Sequence, residues 1–133
     1  MSDKEEMDVE FALLCDDIRQ EVNGKFLFVG TYTGGVDFHF SPYHGFFQLA
    51  TFMKFSKPGK FNSIVSVHYN GKEIASLSGE MNVEGNLKVF SQIPIELKDI
   101  TQDGVLEVFM GIDGTSLQKA FSCPFTFRAA SSS

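Results

Sequence analysis

Tryptophan is absent from this 133-residue chain, and cysteine occurs only twice, at Cys15 and Cys123. Two cysteines so far apart, with no local Cys or His beside them, make no zinc pattern. Both fall within apolar alternations and are expected as free thiols filling core positions. No stretch approaches the roughly 18 consecutive apolar residues that a membrane helix needs, so no membrane partner is expected. The acidic start, Met1-Ser2-Asp3-Lys4-Glu5-Glu6, lacks the basic and apolar regions of a secretory signal. A cytoplasmic location follows as the expectation, where thiols stay reduced.

Catalytic signatures are missing too. There is no Gly-x-Ser-x-Gly elbow, and Thr33-Gly34-Gly35-Val36 lacks the Lys-Ser/Thr end of a phosphate loop. Asp99 and Asp103 do not have the ligand spacing of a calcium loop. Three histidines occur, His39, His44 and His68. Asp37, His39 and His44 form the one trio with any metal-like proximity, but the spacing matches no specific site, and the flanking phenylalanines favour imidazoles hydrogen-bonded at a rim. The expectation is a chain that is not an enzyme and holds no metal or cofactor.

Basic charge is also scarce where it would matter. Net charge is −6, from 11 Lys+Arg and 17 Asp+Glu. Residues 1–21 hold eight acids against two bases, a net −6, so the remainder of the chain is neutral. A surface that tracks phosphates is usually basic, which argues against nucleic acid as a partner. The acidic start reads as a solvated leader over residues 1–8, or as an arm that docks on a basic partner.

Phenylalanine is abundant, with 15 in the chain. Phe121, Cys123, Phe125 and Phe127 alternate with Ser122, Pro124, Thr126 and Arg128, the period-two pattern of a strand with one dry face. Pro124 cannot donate to a ladder, so this strand belongs at an edge or carries a bulge. Val9, Phe11, Leu13 and Cys15 form a similar stripe. Residues 25–32 are apolar on both faces, with Phe26 and Phe28 opposed to Leu27 and Val29, and read as a central or covered strand. Residues 46–55 make a long strand. Asn70-Gly71 is a strong hairpin signal, because both residues tolerate positive φ. Further strands lie over residues 64–69, 73–78, 87–89, 93–97 and 105–112, with Pro94 again suggesting an edge. Helix signals are weak. Ser2 and Glu5 have capping-box spacing, so residues 2–10 suggest a short helix, and residues 97–102 one helical turn. About eight to nine strands with frequent turns predict an all-β, immunoglobulin-like antiparallel β-sandwich, one domain over residues 9–128 with a frayed tail at 129–133.

Cys15-Asp16-Asp17-Ile18-Arg19-Gln20-Glu21, followed by Gly24-Lys25 and then Gly30 and Tyr32, resembles the opening of a family of small bacterial and phage β-sandwich proteins of unknown function. The likeness spans about residues 9–33. It implies an immunoglobulin-like sandwich and a bacterial or viral source, and brings no catalytic residue, cofactor or substrate. Independently of the family, Arg19 is expected to pair with Asp16 or Asp17. The two carboxylates, adjacent on a strand, should point to opposite faces and so not share a proton.

Residues 36–47 are the most unusual segment: five of the twelve are aromatic (Phe38, Phe40, Tyr43, Phe46 and Phe47), and Ser41-Pro42 and Gly45 read as loop residues. Aromatic loops either plug a sandwich or form a binding surface. The expected function is a non-enzymatic interaction module that engages a protein partner, or a second copy in a homo-oligomer, through Phe40, Tyr43, His44 and Phe46. The alternative is recognition of a small ligand or carbohydrate on a sheet face.

Overall fold

The computed structural model describes residues 7–128. Nine strands follow one another: β1 Met7–Gln20, β2 Phe26–Tyr32, β3 Val36–Phe38, β4 Tyr43–Phe55, β5 Gly59–Tyr69, β6 Lys72–Val83, β7 Lys88–Ile100, β8 Gly104–Ile112 and β9 Gln118–Phe127. No helix occurs among the described residues. A four-stranded sheet in the order β2-β1-β4-β7 packs on a five-stranded sheet in the order β3-β9-β8-β5-β6. All pairings are antiparallel except β3 with β9, which is parallel. This is the all-β sandwich expected from the alternation; the finer immunoglobulin-like label remains an expectation of the sequence.

The core is built from one phase of each long strand. Phe47, Leu49, Met53 and Phe55 of β4 turn inward, with Leu14 of β1 and Ile93, Ile95 and Leu97 of β7. The other sheet contributes Val65, Val67 and Tyr69 of β5, Leu106, Val108 and Met110 of β8, and Cys123 and Phe125 of β9. Ring pairs join the layers, Phe47 to Phe125 at 5.7 Å between centroids and Tyr69 to Phe125 at 6.0 Å. Both cysteines are buried free thiols, and burial pushes each thiol above its ordinary pKa.

Several local expectations change. β1 starts at Met7 and so takes in the last two residues of the segment read as leader, and Met7 is buried opposite Phe55. Residues 7–10 are therefore strand, not part of a helix; the rest of that segment and the tail at 129–133 lie outside the described residues. The Gln118 side chain reaches across from β9, accepting the Val9 N–H and donating to the Met7 carbonyl where β1 bulges. Over the helical turn expected at residues 97–102 the chain is instead strand as far as Ile100, the last residue of β7: the alternation that buries Ile95 and Leu97 breaks at Asp99, with φ 55°, and Ile100 is then buried. The segments read as two strands around residues 87–97 are a single one, with Pro94 on its edge.

Pro124 is tolerated for a simple reason: β3 pairs with β9 only along Phe125–Phe127, so at Pro124 no β3 residue needs a donor. The Asn70-Gly71 turn forms as expected, with φ values of 54° and 79°.

β2 is the clearest departure. Its two apolar faces suggested a central position, yet it lies at the edge of the four-stranded sheet. Its phase also changes midway. Tyr32 packs on Phe47 of the inner core at 5.6 Å, whereas Phe28, four residues earlier and nominally in phase, packs on Phe52 of the outer face at 6.3 Å. Between them stands Gly30 with φ +66°, a conformation that a side chain resists. The strand thus serves the core at one end and the outer face at the other.

Candidate interaction surfaces

The segment 36–47 divides into an inner and an outer half. Val36 and Phe38 are buried because β3 adds to the edge of β9. Tyr43 stacks on Phe38 at 5.2 Å and is half-buried, and burial raises its hydroxyl pKa. Phe40, by contrast, is 78% exposed and Phe46 is 55% exposed. His44 sits on the rim, where its Nδ1 accepts the Asp99 N–H at 3.4 Å and its Nε2 lies 3.8 Å from the Asp99 carboxylate. Of the four residues expected to form one binding surface, Tyr43 belongs to the core margin, and Phe40, His44 and Phe46 face outward.

Phe46 opens onto a groove of about 480 Å³ with Ile74 and Leu77 of β6 and Pro94 and Ile100 of β7. The groove runs between the last strands of the two sheets, on the open side of the sandwich. Its walls are mostly apolar, with Glu96 and Lys98 at the border.

A larger aromatic feature covers the outer face of the four-stranded sheet. Phe11 contacts Phe52 at 5.8 Å, Phe52 contacts Phe90 at 5.1 Å, Phe90 contacts Phe26 at 4.4 Å, and Phe28 bridges Phe52 and Phe90 at 6.3 and 6.2 Å. Cys15, Ile18 and Ala50 are buried beneath these rings. Phe11 remains 53% exposed and Phe26 38% exposed. The sequence reading did not single this face out. Its signal was the second apolar phase of β4, in which Ala50 and Phe52 alternate with the core residues Leu49 and Met53.

Residues of the segment 15–32 meet beside this face. Asp16 accepts the Tyr32 hydroxyl at 2.5 Å, and an added side chain at Gly30 would run into the Asp16 carboxylate. Burial first, and then this hydrogen bond, push the Tyr32 hydroxyl well above its ordinary pKa. Asp17 instead accepts from Arg19 at 2.9 Å and from the Ile18 N–H at 2.9 Å, so the two carboxylates act apart. The Arg19 hydrogen bond is the main cause of a lowered Asp17 pKa. The Cys15 thiol lies 3.8 Å from the Thr31 hydroxyl. These residues knit β1 to β2 around the phase change.

The three histidines lie apart in function. His39 Nδ1 contacts the Arg128 carbonyl at 2.9 Å, His44 faces Asp99, and His68 Nε2 contacts the Ser66 hydroxyl at 2.8 Å. That hydroxyl donates to Glu73 at 2.6 Å, so the proton a nucleophile would give to histidine is already directed at a carboxylate.

Fold and surfaces define a two-layer β-sandwich with an aromatic exterior. No protein-family model matches the chain, and no curated protein matches it. Among solved structures it is similar to the CooA pilin subunit from enterotoxigenic Escherichia coli, with 10% identity, 90% of this chain and 99% of that chain covered, and a TM-score of 0.41.

Proposed function

We propose that the chain is a non-enzymatic interaction module of bacterial or phage origin that binds a protein partner on the outer face of the four-stranded sheet. The observation that carries this reading is the connected set of five phenylalanines, Phe11, Phe26, Phe28, Phe52 and Phe90, on a face where Phe11 and Phe26 stay open to solvent. Rings clustered at the centre of a patch are the usual anchors of protein recognition. β1 runs through the middle of this face, and its acids Asp8, Glu10, Asp16 and Asp17 outnumber its one base, Arg19. A second identical copy would bring like charge against it, whereas a partner with a basic rim would meet opposite charge. Phe40 and Phe46 supply a separate outward pair.

The test compares two double variants, Phe11→Ser with Phe26→Ser, and Phe40→Ser with Phe46→Ser, as immobilised baits in a bacterial lysate. A protein held by wild type and by the second variant, lost from the first, and released by raised salt is the expected result. Equal capture by all three baits would refute the reading.

A further inference from the structure

We infer that this chain pairs with a second copy of itself along the free edge of β6, with the two-fold axis passing through Gly79. This interface lies at the far margin of the sandwich from β2 and stands independently of the partner face proposed above.

Among the described residues β6 pairs only with β5, and its residues from Lys72 to Glu80 are all exposed. Free edges in natural sheets are normally blunted by charge, proline or bulges. β7 has such protection, with Pro94 followed by exposed Glu96 and Lys98. β6 has no charged residue from Ile74 to Gly79. Its core-side phase is apolar and incompletely covered: Ala75, Leu77 and Met81 lie opposite Val67, Val65 and Phe61 of β5, yet Leu77 remains 40% exposed.

The register selects the occupant. Ile74 is the extra residue where the β5–β6 pairing shifts, so the regular stretch is residues 75–83. When a strand pairs antiparallel with its own copy, facing residues share one phase, so the axis falls on a residue. An axis at Gly79 uses the whole stretch of nine residues, about 30 Å at strand rise. It sets Leu77 against Met81 and Ala75 against Val83 on the core side, and Ser78 against Glu80 and Ser76 against Asn82 on the other. An axis at Glu80 would oppose two carboxylates, and one at Ser78 would set Leu77 against Gly79 and shorten the run. The apolar phase therefore matches itself best about Gly79. The product is a continuous ten-stranded sheet, with the Leu77 and Pro94 grooves of the two copies brought together across the axis.

Gly79 suits the test, since a side chain there would meet nothing within 4 Å. Gly79→Cys should form a disulfide-linked dimer under mild oxidation, because residues facing each other in such a pair come within bonding range. Ser76→Cys, which faces Asn82, should not. Wild type should sediment as a dimer with rising concentration, and Leu77→Lys as a folded monomer by circular dichroism. A wild type that stays monomeric up to millimolar concentration, a dimer that survives Leu77→Lys, or equal cross-linking of the two cysteine variants would overturn the proposal. None of these results bears on lysate capture by the aromatic face.

Discussion

The four-stranded sheet carries aromatic rings on both faces, and the two sets live under different rules. On the inner face Phe47 and Phe55 are at most 1% exposed and lie within a closed core between two sheets. On the outer face five rings touch one another with only Cys15, Ile18 and Ala50 buried beneath them. The contrast teaches that phenylalanine in a strand pattern does not by itself mean interior. The inner set closes the core, while the outer set packs on itself and leaves Phe11 and Phe26 open to solvent.

The largest expected effect tests this division directly. Phe47→Ala should cost about 3–5 kcal/mol in urea unfolding, as core truncations do. Phe52→Ala should cost about 1–2 kcal/mol, because part of its surface already meets water. Equal losses would erase the distinction. Next comes the residue that lets β2 serve both faces. Gly30→Ala should lose about 1–2 kcal/mol from the left-handed backbone alone, and more from its collision with Asp16. Gly24→Ala has a similar φ, +84°, but open space around it, so the difference between the two variants isolates the contact. Phe11→Ser should change stability by no more than about 0.5 kcal/mol while removing partner capture.

The smallest effect is electrostatic. The Asp17 pKa is lowered chiefly by the Arg19 hydrogen bond, so the pair's contribution is present above the ordinary aspartate pKa and fades as pH falls through the depressed value. Arg19→Ala should return the Asp17 titration, followed by NMR, toward the ordinary range with little change in melting at neutral pH. An unmoved titration would remove Arg19 as the cause.

Much of the fold could be read in advance because alternation is local. The β9 stripe, the Asn70-Gly71 turn and the edge position of β7 each follow from a few neighbouring residues. The position of β2 could not be read that way. Two apolar faces fit a central strand and equally an edge strand that serves both faces of its sheet, as β2 does with Tyr32 on the inside and Phe28 on the outside. The candidate site was half visible for a related reason. The density of rings in residues 36–47 is plain, but Phe38 and Tyr43 turn inward only because β3 docks on β9, a pairing between segments about two-thirds of the chain apart. The outer face gathers Phe11, Phe28, Phe52 and Phe90 from four strands, so no local window contains it.

That same sheet order has a consequence in time. Only β1–β2, β5–β6 and β8–β9 join strands consecutive in the chain, while β1–β4, β4–β7, β5–β8 and β3–β9 must close long intervening loops. Chains of such connectivity reach their native form slowly, on the order of milliseconds to seconds. In this topology the three hairpins close over short loops, whereas the phenylalanine-rich β4 gains both of its neighbours, β1 and β7, only at the entropic cost of long-range closure.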